Sequence, residues 1–176
     1  NTMVIASANR RTGQNYGYEI QQIMPGSGRT YSQHFGFYRS YQDLGFRKAA
    51  QLHTHLRIGA CSGSVFGDRC FGLGGATTIR GVERGALEGD VFVLTNLQLL
   101  IPLAGTQYMR GVVFLDAGAV TDSTYKVSPR KSAAGIGIGF LWKLKRFVKA
   151  DIRAELAHGL GTKERYRAYA ATSMLF

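Results

Sequence analysis

No stretch of the 176-residue chain approaches the roughly 18 uninterrupted apolar residues of a membrane-spanning helix, which excludes a helical membrane protein. A transmembrane β-barrel stays open, because its alternating strands look only mildly hydrophobic. Proline is scarce, at 3 residues, and cysteine occurs only as Cys61 and Cys70. Acidic residues are few: 11 Asp and Glu stand against 22 Lys and Arg, for a formal net charge of +11. Such an excess makes nucleic acid the first partner to weigh. Enzyme signatures are missing too. Ser62 and Ser64 lack a flanking G-x-S-x-G, no phosphate-binding loop is present, and Leu73–Gly75 neither follows a Rossmann strand nor opens a helix. No catalysis, cofactor or metal is therefore expected. Disorder is excluded by 45% hydrophobic and 11% aromatic residues spread along the chain. The chain opens at Asn1 with neither an initiator Met nor a charged-then-apolar leader, as expected of a processed chain or a piece of a longer one.

The two cysteines stand nine positions apart in a Gly/Ser-rich stretch and could close a small loop disulfide, which points to an oxidising compartment. The alternative is a pair of free or metal-binding thiols, without CxxC spacing or a neighbouring His. His53 and His55, two apart, share one strand face, and His34 is a candidate to join them. Histidines so spaced can take a metal, but hydrogen bonding inside a barrel is the plainer reading.

The dominant period is two. From Ala133 to Trp142 the even positions are mostly large and apolar and the odd ones mostly small, as in Gly135, Ile136, Gly137, Ile138 and Gly139. Val148, Ala150, Ile152, Ala154 and Leu156 alternate with Lys149, Asp151, Arg153 and Glu155. Leu52, Thr54, Leu56 and Ile58 alternate with Gln51, His53, His55 and Arg57, and Val113 and Leu115 with Arg110, Val112, Phe114 and Asp116. The alternation predicts strands near 2–10, 15–24, 30–41, 47–60, 90–102, 107–119, 132–142, 147–157 and 164–176. It predicts no helix, internal repeat or domain boundary: an all-β meander.

Alternation does not say which face meets water. A soluble barrel buries its apolar face, whereas an outer-membrane barrel turns that face to lipid and lines its lumen with polar groups. Three features favour the membrane. Most strands reach the ten or so residues needed to cross when tilted. Aromatics stand at strand ends, where interfacial girdles lie: Tyr16, Tyr18, Tyr41, Trp142, Tyr166 and Phe176. The polar faces carry both signs of charge and can pair across a lumen. Under this reading Arg10, Arg11, Arg47, Lys48, Lys143, Lys145 and Arg146 fall at turns, which become the periplasmic ones once a loop at 61–89 is placed outside. There anionic headgroups are the counterions, each contact worth on the order of 1 kcal/mol.

One segment is more specific. It runs Phe71-Gly72-Leu73-Gly74-Gly75-Ala76-Thr77-Thr78-Ile79-Arg80-Gly81, then Gly89-Asp90, then Asn96 to Pro102, then Phe114-Leu115-Asp116-Ala117-Gly118, and the chain ends in Phe176. This pattern resembles the C-terminal half of the barrel in the BamA/TamA-like outer-membrane assembly superfamily, which includes two-partner-secretion transporters. The resemblance covers nearly the whole chain, most securely 70–176. It implies a transmembrane antiparallel up-and-down β-barrel, for which the alternation supplies eight strands, or nine, and in which a long extracellular loop, 61–89, folds back into the lumen. Arg80 would there pair with Asp116. Gly74, Gly75 and Gly81 would permit tight turns and close backbone approach. The family's second carboxylate partner falls at Gln98, which cannot form an ion pair, and Val82 takes the place of the usual aromatic. Both departures are expected to weaken the loop's hold. Tyr166, Thr172, Met174 and Phe176 would form the terminal strand recognised by the assembly machinery.

Family barrels have sixteen strands preceded by periplasmic POTRA domains. The chain has room for about half those strands and no POTRA domain, so 1–176 reads as one small barrel domain or as half of a larger barrel. With 61–89 outside, the segment 2–10 would start on the outer side, which leaves open whether it spans. An eight-stranded interior is just filled by side chains and would hardly admit such a loop. A second copy or another polypeptide is then expected to complete the barrel.

Three functional readings follow. The chain belongs to an outer-membrane barrel that inserts or translocates protein or lipid, acting at a weak seam whose last strand is 164–176. Or it is a passive pore or structural barrel, a reading favoured by the missing POTRA domains and by Gln98. Or it is a soluble basic barrel that binds nucleic acid, which the segregation of apolar from charged faces disfavours. The first two imply outer-membrane lipid and lipopolysaccharide as surroundings, the assembly machinery during biogenesis, and no nucleic acid.

Overall fold

The computed structural model describes residues 2–8, 13–23, 31–45, 50–63, 70–103, 108–122, 131–144, 150–160 and 166–174. No helix occurs among them. The strands are β1 (Thr2–Ala8), β2 (Gly13–Ile23), β3 (Tyr31–Asp43), β4 (Gln51–Gly63), β5 (Phe71–Leu73), β6 (Leu87–Gly89), β7 (Val91–Pro102), β8 (Met109–Thr121), β9 (Lys131–Leu144), β10 (Ala150–Leu160) and β11 (Tyr166–Met174). Nine form one sheet in the order β1-β2-β3-β4-β7-β8-β9-β10-β11, every neighbour antiparallel. The sheet is not closed: β1 and β11 are its edges. β5 and β6 form a small hairpin of their own. All nine strands anticipated from the alternation are present, and 2–10 contributes β1, paired to β2. β4 extends to Gly63, so part of the expected loop 61–89 is strand.

The register assigns the faces. Ile58, Val93, Val113, Leu115, Ile136, Ile138, Trp142 and Leu156 lie exposed on one face, with Ile138 62% accessible. The other face carries Arg39, His53, His55, Arg57, Asn96, Gln98, Arg110, Asp116, Arg153 and Glu155. Apolar out and charged in is the arrangement of a lipid-embedded barrel, because in water that aliphatic band would be exposed to solvent. Tyr16, Tyr18, Trp142 and Tyr166 are exposed on the outer face.

Three placements correct the reading from sequence. Tyr41 is no girdle residue: it pairs in register with His53 and faces inward, its ring edge-on to that imidazole at 4.7 Å. His34 sits on the outer face beside Ala60, away from His53 and His55, and Tyr18 Oη lies 2.5 Å from its Nδ1. Lys143 is not in a turn but in β9, opposite Asp151 on the inner face. For Tyr41 and His34 strand parity decides, since one residue of shift reverses the face; for Lys143 it is the length of β9, which runs to Leu144. Arg10, Arg11, Arg47, Lys48, Lys145, Arg146 and Phe176 lie outside the described residues.

The inner face is not wholly polar. Phe71, Leu73, Ile79 and Leu87 of the loop pack against Phe92, Leu94 and Val120 of the wall, with Phe35, Val82 and Ala133 around them. Phe71 meets Phe92 at 4.9 Å and Phe35 at 5.5 Å, both edge-on. A second cluster joins Leu100, Val112, Phe114 and Ala157. The charged groups of the loop contact lie between these two apolar layers.

Candidate functional site: a loop held inside the barrel

Segment 71–89 leaves the sheet as the β5–β6 hairpin and folds over the inner face. Its shape depends on glycine. Gly74, Gly75 and Gly81 have φ of 118°, 94° and 88°, a region costly to residues with a Cβ. Short bonds close the turn: Gly75 N–H to the Val82 carbonyl at 3.0 Å, and Gly74 N–H to Thr78 Oγ1 at 2.7 Å. The wall also supplies glycine. Gly135 of β9 and Gly159 of β10 are register partners facing inward, and together they leave a trough in the side-chain layer. A Cβ on Gly135 would overlap the Arg80 carbonyl oxygen, and one on Gly159 would lie 2.7 Å from the Gly81 carbonyl oxygen. The Arg80–Gly81 backbone lies in that trough.

Arg80 is 4% exposed and Asp116 0%. Nε donates to Asp116 Oδ2 and Nη2 to Oδ1, each at 2.7 Å, a bidentate pair. The Arg80 backbone N–H donates to the same Oδ2 at 3.0 Å. Nη1 reaches Glu155 of β10 at 3.0 and 3.2 Å. The guanidinium carbon lies 3.5 Å from the centre of the Phe114 ring. Burial opposes a charge on Arg80, but the hydrogen bonds and charge of Asp116, and then Glu155, outweigh it and raise its pKa above arginine's ordinary value.

Other strands hold the rest of the turn. Asn96 of β7 donates from Nδ2 to Asp116 Oδ1 and to the Thr78 carbonyl, both at 2.7 Å. Arg57 of β4 donates to Asn96 Oδ1 and to the Thr77 carbonyl, both at 2.9 Å. The Gly81 N–H donates to Tyr169 Oη of β11 at 3.0 Å. Five strands thus hold one loop.

The structure brings Arg80 and Asp116 together with Gly74, Gly75 and Gly81. Gln98 does not touch Arg80. It accepts from Arg153 Nη2 at 2.8 Å, and Arg153 in turn binds Glu155, so Gln98 stands one step out in the network. Glu155 supplies a second carboxylate from a different strand, so Arg80 has two carboxylate partners although position 98 is Gln. Asn96, Arg57, Glu155 and Tyr169 were not singled out as loop partners from sequence. Inward parity on predicted strands was the available signal, and for Asn96 also its place in the motif stretch 96–102.

Cys61 and Cys70 form a disulfide, Cα to Cα 6.2 Å, that ties β4 to the start of the hairpin. His55 accepts from Arg39 Nε at 3.2 Å, the hydrogen-bonding reading. No cluster of three metal-binding side chains occurs among the described residues. Of the terminal-strand residues, Tyr166 is exposed on the outer face, Thr172 and Met174 lie within β11, and Phe176 is outside the described residues. Gln98, Asp116 and Glu155 all face the interior that the loop occupies.

The model of the Omp85 superfamily domain matches residues 11–167, nearly the whole chain. No individual curated protein matches it. An open antiparallel sheet with an apolar outer band, a charged interior and an inward-folded loop agrees with that family match, and the chain belongs to the Omp85 superfamily, an outer-membrane assembly and translocation family.

Proposed function

We propose that this chain is the loop-bearing part of an outer-membrane barrel that inserts or translocates polypeptide or lipid, with 71–89 acting as a lumenal latch. The observation that carries the reading is Arg80 held between Asp116 and Glu155. Through Tyr169, Glu155 and Asp116 one loop binds β8, β10 and β11, so its release alters the restraint on the last strands of the sheet. Gln98 counted towards the passive-barrel reading, and the contact of Glu155 with Arg80 weighs against that part of it. No catalytic role is assigned.

Lipid, lipopolysaccharide and the assembly machinery are the partners this reading implies. Unpaired strand edges are not tolerated in lipid, so β1 and β11 require partner strands from the same polypeptide or a second chain. A native mass in detergent equal to one 19.3 kDa chain would overturn that completion. The functional test is reconstitution of wild type and Arg80→Ala in lipid vesicles, with β-barrel client insertion and ion conductance measured side by side. Loss of insertion with the fold retained supports the latch. Undiminished insertion refutes it.

A further inference from the structure

The β3–β4 wall beside the latch carries two cations, of which the latch uses only the Nη2 group of Arg57. Arg39 and His55 are register partners, and Arg57 stands one inward position along from His55, opposite Phe37. Arg39 and Arg57 are thus diagonal neighbours, about 7–8 Å apart at Cα. Like charges so placed repel, and an ordinary wall would set a carboxylate between them. Among the described residues none pairs with either arginine. Asp116 is already engaged, accepting two bonds on each oxygen from Arg80 and Asn96. Arg57 commits Nη2 to the Thr77 carbonyl and to Asn96, while its Nε is buried without a hydrogen-bond partner. Arg39 commits Nε to His55 and lies over the Phe37 ring, 5.3 Å from its centre.

We propose that Arg39, Arg57 and His55 form an oxoanion site on the lumen wall. It takes a carboxylate or phosphate group, either of a free anion or on the acidic side chains of an extended peptide in the lumen. Two guanidinium groups with free N–H donors are the usual means of binding such planar or tetrahedral anions, and the aromatic face beneath Arg39 holds one of them in place. A lipid phosphate is ruled out as the source by position, since the site faces inward, opposite to the exposed aliphatic band.

The test uses the full chain in detergent, titrated calorimetrically with inorganic phosphate and separately with a Glu/Asp-rich peptide. Arg39→Gln is the primary variant, because Arg39 touches neither the loop nor Asp116. Arg57→Gln is the second. Arg110→Gln is the control, a lumen cation bonded to Gln51 on the same wall. Binding that weakens about tenfold or more in the first two variants, with the control unchanged, supports the site. Phosphate alone then identifies a free anion, and peptide alone a peptide side chain. No binding of either probe overturns the proposal, and so does equal weakening in Arg110→Gln, which would reduce the effect to net charge.

Discussion

Asp116→Ala tests the latch most directly. The substitution removes an acceptor of four hydrogen bonds: Nε, Nη2 and the backbone N–H of Arg80, and Nδ2 of Asn96. It also leaves the buried Arg80 with Glu155 as its remaining carboxylate. Breaking a fully buried pair by removing one partner costs about 3–5 kcal/mol, against at most about 1 kcal/mol for an exposed one. The loop keeps its apolar anchors, Phe71, Leu73, Ile79 and Leu87, and its bonds from Arg57 and to Tyr169. The expected result is therefore a loop that opens more often on an intact barrel. At about 1.4 kcal/mol per tenfold, the open population rises by roughly two to three and a half orders of magnitude. Hydrogen exchange at the Gly81 amide reads this well, because its acceptor, Tyr169 Oη, belongs to the barrel and not to the loop. Amides of β7 and β8 serve as the reference for global stability. Arg80→Ala together with Asp116→Ala completes a double-mutant cycle, whose coupling energy should approach the single-mutant cost. Gly81 exchange accelerated less than fivefold, with coupling under about 1 kcal/mol, would refute the claim that the buried pair holds the loop.

Gly135→Ala places a methyl group against the Arg80 carbonyl, so the loop should lift at a cost of about 1–3 kcal/mol. Protease cleavage within 71–89, with the heat-modifiable gel mobility of the barrel unchanged, would register it. Reduction of the Cys61–Cys70 disulfide should lower stability to denaturant by about 2–3 kcal/mol in the chain-entropy model, measured as the shift between reduced and oxidised unfolding curves. Ile138→Arg sets a charge on the most exposed aliphatic position of the outer face and should cost about 2–4 kcal/mol near the bilayer midplane. Folding yield in vesicles checks this last expectation, and an unaltered yield would contradict a lipid-facing surface there.

The strands were legible from sequence because a half-buried strand has a period of two, and nine alternating segments leave little room for another fold. The Arg80–Asp116 pairing was legible only through the spacing of the family motif, since the residues stand 36 positions apart. That the second carboxylate comes from Glu155 and not from position 98 has a physical reason. A loop crossing the interior meets whichever wall lies opposite, and that wall is β10, whose Glu155 is 75 positions from Arg80. The small odd-numbered residues of β9 had been visible as Gly135, Gly137 and Gly139, but nothing in the order of residues told that their empty space receives the Arg80–Gly81 backbone. Tyr41 and His34 were misassigned for a similar reason. An aromatic near a strand end, or a histidine near two others, carries no face until its register is known.

Sequence alone determined the antiparallel strands, their two chemically distinct faces and the loop with its arginine and glycines, because side-chain alternation and turn chemistry are local. The tertiary structure decided which strands meet the loop, which glycines make room for it, and which carboxylates neutralise Arg80. It also decided which cations on the β3–β4 wall are left without a carboxylate. Those outcomes depend on sheet register and on the path of one segment across the lumen, and both are set by contacts between residues far apart in the chain.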